Sequence, residues 1–63
     1  MSMISVNSSA IAAIGYEGGV LAVLFHNSGL YYHPGVPLAV FLEFMAASSK
    51  GTFYSRYIRG RYR

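Results

Sequence analysis

The apolar positions of the chain fall into short blocks, first with the two-residue period of strands and then with the longer period of helices. Met1 to Val6 alternates weakly, Ile4 and Val6 on one side and Met3 and Ser5 on the other, until Asn7-Ser8-Ser9 supplies turn chemistry. This segment reads as an extra N-terminal edge strand or a loose end. Ala10 to Tyr16 has helical propensity, but Gly15 and Glu17-Gly18-Gly19 interrupt it too early for a helix. A strand closed by a Gly-Gly hairpin turn fits better. Val20 to His26 is apolar at every position but the last and rich in Val, Leu and Phe, as expected of a strand covered on both faces or lying at an oligomer interface. Asn27-Ser28-Gly29 forms the next turn. Leu30 to His33 is a third short strand, ended by Pro34-Gly35 because Pro has no N–H for the ladder. Three strands in succession with short Gly turns predict an antiparallel meander.

Beyond Pro37, which suits the first position of a helix, Leu38 to Ala47 is expected to be helical. At 100° per residue, Leu38, Phe41, Leu42 and Met45 make one stripe, the expected contact with the sheet. Val40 and Phe44 make a second, flanking stripe, more than one sheet face needs, and are expected at an interface with another chain. Glu43 lies opposite the main stripe. Ser48-Ser49-Lys50-Gly51 then breaks the period and offers capping groups for a second helix over residues 52–59. Phe53, Tyr54, Tyr57 and Ile58 share one broad face of that helix, Arg56 and Arg59 lie on the other, and Gly60 ends it. The reading is an α+β fold: a small three-stranded antiparallel meander, with the extra N-terminal strand as an addition, packed against two C-terminal helices. With no internal repeat or linker, residues 1–63 form a single domain.

Charge changes this picture at one end only. All five Lys and Arg residues, Lys50, Arg56, Arg59, Arg61 and Arg63, follow Ser49, whereas residues 1–49 carry two Glu and no cation. An anionic partner would meet the C-terminal segment. The chain is 54% hydrophobic and 11% charged, the composition of a folded domain and not of a disordered one. Its small size favours extra support for the core. Without Cys there is no disulfide, and His26, His33, Glu17 and Glu43 are a poor metal set. Self-association, as a homodimer or other homo-oligomer, is the support that remains.

In order and spacing, several pieces resemble one known family. They are Val6-Asn7-Ser8-Ser9 with Ile11, Ile14-Gly15-Tyr16, Leu21 to Phe25 followed by Gly29, Val36-Pro37, and Ser49-Lys50-Gly51 leading through Phe53-Tyr54 to Ile58-Arg59 and Tyr62. Together they span almost the whole chain and resemble the KTSC domain, a short domain found alone in bacterial and phage proteins and at the C-terminus of some lysyl-tRNA synthetases. That family carries a central Tyr-x-Tyr ahead of Val-Pro. Counting back from Val36 puts those positions at Tyr31 and His33, so the second Tyr is His here. The resemblance implies a role in RNA binding.

Catalysis is not expected. There is no Asp and no Cys, the two Glu fall on a turn and on a helix's wet side, and no Gly-x-Ser-x-Gly elbow is present. Gly15 to Gly19 lacks the Lys and the strand-to-helix setting of a phosphate loop. No cofactor and no small-molecule substrate is implied. The longest apolar run, Val36 to Ala47, is shorter than the roughly 20 residues of a membrane span, and no basic segment precedes an apolar N-terminal core. The expected location is cytoplasmic.

Two readings of function follow. In the first, the domain binds nucleic acid, either tRNA or single-stranded RNA: Lys50, Arg56, Arg59, Arg61 and Arg63 meet phosphates while Tyr31, His33, Tyr54 and Tyr62 offer rings for stacking. In the second, it is a protein-interaction or self-assembling module that uses Val40 and Phe44 and has no nucleic-acid role.

Overall fold

The strands follow the turn chemistry closely. The structure is a computed structural model in which residues 1–62 are described. Strands β1 (Met3–Ser5), β2 (Ile11–Glu17), β3 (Val20–Phe25) and β4 (Gly29–His33) form one antiparallel sheet in the order β1-β2-β3-β4, and helical residues follow. The architecture is α+β, and the N-terminal segment is a true fourth strand, with Met3 opposite Gly15 and Ser5 opposite Ala13. Gly18 and Gly19 take φ values of 57° and 81°, the left-handed pair that a tight hairpin turn needs.

One irregularity decides which side chains enter the core. Ile11 and Ile14 are three residues apart, a helical spacing that in a flat strand would send them to opposite faces. The register slips between Ile11, opposite Phe25, and Ala13, opposite Leu24. That β-bulge restores both isoleucines to the same face, and both are fully buried. They join Leu21, Val23, Val36, Phe44 and Ile58 in one cluster.

The first helix, α1 (Leu38–Ala46), starts one residue later than the proline rule suggests. Pro37 is its N-cap, with ψ at 151°. Its packing face overlaps the expected stripe only in part: Phe41, stacked on Tyr16 at 4.9 Å between centroids, and Met45 pack against the core, but Leu38 and Leu42 do not. Phe44 is completely buried, whereas Leu38 and Leu42 are each 55% exposed. Phe44 is therefore a core residue and not an interface residue, and Val40 is half-buried against the same core. The cause is geometric. Only Glu43 is polar in this helix, so the stripe with most apolar residues carried no unique information. The selecting partner is the second helical segment, whose Phe53 ring stacks on Phe44 at 5.4 Å between centroids.

That segment begins as α2 (Lys50–Phe53), capped by Ser49, whose Oγ accepts a hydrogen bond from the Thr52 N–H at 3.4 Å. It runs directly into a π-helical turn, Tyr54–Ile58, closed by the Arg59 N–H donating to the Tyr54 carbonyl at 2.9 Å. The wider turn rotates Tyr57 farther from the Tyr54 face than a 3.6-residue turn would. Ile58 is fully buried while Tyr57 is 47% exposed. Gly60, at φ 79°, then turns the chain back as a C-terminal glycine does.

If Phe44 is the centre of the core, Phe44→Ala should lower unfolding stability by about 3–5 kcal/mol. Leu42→Ala on the exposed side of α1 should cost about 0.5 kcal/mol or less. Urea denaturation of the two variants side by side measures the difference.

Candidate nucleic-acid interface

Cross-strand partners share a face, so the pairing of Tyr31 with Val23 and of His33 with Leu21 puts both β4 side chains on the helix-covered side of the sheet. There they meet the π-helical turn. Phe25 lies edge-on to Tyr31 at 5.6 Å and to Tyr54 at 5.0 Å, and His33 lies edge-on to Tyr54 at 5.4 Å. These edge-to-face contacts put the positive rim of one ring against the negative face of the next. Beside them opens a cleft of about 450 Å³ lined by Phe25, Tyr31, Tyr54, Ser28, Ser55 and Arg59, with Ala10 and Gly51 on its edge. Aromatic walls, two hydroxyls and one guanidinium can hold a flat, partly polar ring beside an anionic group.

His33 has a defined hydrogen-bond pattern. Its Nδ1 lies 2.8 Å from the Tyr62 carbonyl oxygen, which has no proton to give, so Nδ1–H is the donor. In the neutral ring Nε2 is then an acceptor, and the Tyr54 hydroxyl donates to it at 2.9 Å. Both ring nitrogens are engaged. His33 thus joins β4, the π turn and the C-terminal residues, and it fixes the position of the Tyr54 hydroxyl. Tyr54 itself holds its proton more tightly than an ordinary tyrosine. Burial raises its pKa, the Arg59 guanidinium pulls it partly back, and Tyr31 adds a smaller upward push.

The cations do not converge on a single groove. Arg59 lines the aromatic cleft. Arg61 lines a wider and more apolar groove of about 680 Å³ between α1 and the π turn, with Val40, Glu43, Phe53, Tyr57 and Tyr62. Lys50 lies in a serine-rich hollow of about 400 Å³ formed with the Asn7 to Ser9 loop, and its Nζ donates to the Ala47 carbonyl at 2.9 Å. Arg56 is exposed and lines none of these three. Arg63, grouped with them from sequence, lies outside the described residues. Among the described residues the one ion pair joins the Met1 ammonium to Glu17 at 3.4 Å, and it involves no Lys or Arg side chain.

Of the expected aromatic positions, Tyr31 and Tyr54 reach the cleft, while Tyr62 is half-buried against the core. Phe25, Ser28 and Ser55 were not anticipated. Their only sequence signal was proximity to the β3–β4 turn and to Arg56, and cleft membership depends on how the π turn docks.

A four-stranded antiparallel meander with a C-terminal helical pair on one face, and an aromatic cluster where the last strand meets the last helix, defines a small α+β domain class. The profile of the KTSC domain family matches residues 7–62, and the chain belongs to that family. The crystal structure of a KTSC domain protein from Yersinia pestis is similar, with a TM-score of 0.95 and 36% identity over 98% of this chain and 90% of that one. A protein of Tsukamurella paurometabola is 38% identical over 60 residues, which cover 92% of this chain and 90% of the relative.

The Tyr54 arrangement carries a pH dependence. Because the folded state binds this proton more tightly than the unfolded chain, the stability it contributes is complete below the ordinary tyrosine value of 10.0 and is lost as pH rises through the higher folded-state value. Denaturation midpoints measured from pH 8 to 11 should decline at the alkaline end. Tyr54→Phe should flatten that decline, while costing about 1 kcal/mol at pH 8 through the lost bond to His33.

Proposed function

We propose that this KTSC domain is a small non-catalytic module that binds RNA in the cytoplasm, with Tyr31, Tyr54 and Arg59 at the centre of contact and Arg56 on the exposed side of the same segment. The observation that carries this reading is the coincidence of unpaired positive charge with an open aromatic cleft. Arg59 borders the same cleft as Tyr31, which is 46% exposed, and Tyr54. A nucleobase stacked against Tyr31 would put its phosphates near Arg59, with Arg56 one turn earlier on the exposed side of the same segment. Stacking of this kind is worth about 1–3 kcal/mol per base and tolerates every base, because each has a π face. Lys50 and Arg61 stand on other sides of the C-terminal segment and would add longer-range attraction. The absence of Asp and Cys and the scarcity of Glu argue for binding without chemistry.

A salt titration with tRNA and with single-stranded RNA tests the reading. Binding should weaken as salt rises, and for a single strand the slope of log K against log salt should lose about 0.7 for each phosphate contact removed. Arg56→Glu combined with Arg59→Glu should reduce affinity at least about tenfold at low salt, and Tyr31→Ala should weaken binding with little change in slope. No binding at low salt, or an affinity unaffected by the double charge reversal, would sink the proposal.

A further inference from the structure

A histidine with partners on both ring nitrogens reverses its role toward only one of them when it takes up a second proton. His33 is such a residue. Its Nδ1–H donates to the Tyr62 carbonyl oxygen at 2.8 Å, a bond that protonation keeps and strengthens. Its Nε2, 2.9 Å from the Tyr54 hydroxyl oxygen, accepts in the neutral ring and must donate in the charged one. A hydroxyl can meet either demand. In the neutral state the one Tyr54 hydroxyl proton is committed to Nε2. In the charged state the Tyr54 oxygen accepts from Nε2–H, and its own proton turns away from His33. Because Tyr54 lines the aromatic cleft with Tyr31 and Arg59, that proton becomes free for an acceptor held there.

We propose that His33 and Tyr54 form a proton-operated gate on the cleft, which holds single-stranded RNA more tightly when His33 is charged. The ligand rests on the RNA reading above, whereas the reversal of donor and acceptor rests on the two hydrogen bonds alone. One proton enters from water at Nε2, none leaves, and the site gains one positive charge. Tyr54 stays a hydroxyl throughout, since burial makes it hold its proton more tightly than an ordinary tyrosine. The pair therefore exchanges roles and not a proton.

The surroundings let this added charge act on a ligand. Across the sheet His33 pairs with Leu21, and Leu21 with Tyr16, whose hydroxyl donates to the Val36 carbonyl at 2.6 Å. Tyr31 and Tyr32 precede His33 on β4, and Arg59 and Arg61 flank the Gly60 turn that delivers the Tyr62 carbonyl. From α1, Glu43 lines the neighbouring groove with Arg61 and Tyr62. Among the described residues no carboxylate pairs with His33, the one ion pair being that of Met1 with Glu17. A proton on His33 is thus added to a region already positive, where it attracts phosphate instead of neutralising an acid. A new hydroxyl bond to an anionic acceptor together with this charge should tighten binding about tenfold.

The imidazole nitrogen-15 shifts of the ligand-free protein read the gate directly. At pH 8 Nδ1 should carry the proton and Nε2 none, and His33 should become charged above about pH 5. An Nε2–H tautomer at pH 8, or a ring that stays neutral down to pH 5, would overturn the proposal. Binding of a ten-nucleotide oligouridylate, whose bases do not titrate in this range, is then measured at low salt at pH 8 and at a pH where His33 is charged. The natural chain should bind about tenfold tighter at the lower pH. Tyr54→Phe keeps the ring, and in it the gain should shrink to about threefold or less, the share owed to charge alone; His33→Gln should abolish it. Equal affinity of the natural chain at the two pH values would overturn the gate even if either variant failed to fold, as would a gain that Tyr54→Phe retains in full. Both outcomes leave the RNA reading standing, whereas absence of binding at either pH removes the RNA reading and the gate together.

Discussion

Phe44 is the point at which the three parts of the molecule meet. Its ring comes from α1, stacks on Phe53 of α2, lies 6.4 Å from the ring of Tyr54 in the π turn, and shares a buried cluster with Ile11 and Ile14 of β2 and Leu21 and Val23 of β3. A domain of this size has room for one such centre. The other features accommodate it. The bulge in β2 brings both isoleucines beneath the ring, and the small residues Ala13, Gly15 and Ala22 take the far side of the sheet. Leu38 and Leu42, on the opposite flank of the helix, are left exposed.

The C-terminal segment has two duties because of the same constraint. Phe53, Tyr54 and Ile58 close the core, and the residues between and after them are left to solvent. The π turn adjusts the proportion, since one wider turn buries Ile58 while Tyr57 remains outside. Positive charge on the outward side is thus a by-product of a helix that must be apolar inward. The three clefts along the segment show that its outward side is not uniform. One is aromatic, one is apolar with a carboxylate and a guanidinium, and one is lined by hydroxyls.

How much of this was legible in the sequence depends on the kind of signal. Turns were legible, because Gly18-Gly19, Gly29 and Gly60 occupy left-handed φ values for which glycine is the default residue. The strands between them followed, as did the two helical segments. The packing face of α1 was legible only in part: Phe41 and Met45 pack as their stripe suggests, but nearly every residue of Leu38 to Ala46 is apolar, and a long-range partner, Phe53, is what draws Phe44 into the core. Ile11 and Ile14 posed the opposite difficulty: their helical spacing was real, and a bulge that no local residue announces converted it to a strand. At the candidate site, Tyr31, Tyr54 and Arg59 were visible as residue types. Phe25 and the engagement of both His33 nitrogens were not, because these depend on contacts that span 21 and 29 residues of chain.

That last separation bears on how the molecule assembles. In the sheet every strand pairs with its neighbour in sequence, so its loops are short and their closure is entropically cheap. The bond from His33 to the Tyr62 carbonyl and the burial of Ile58 instead join the middle of the chain to its end. A chain emerging from the ribosome can therefore pair its strands while its core lacks a lid. The apolar surface beneath Phe44 is sealed only once the segment from Lys50 to Ile58 has also cleared the exit channel. Synthesis order thus leaves an interval in which the sheet exists with its core face bare.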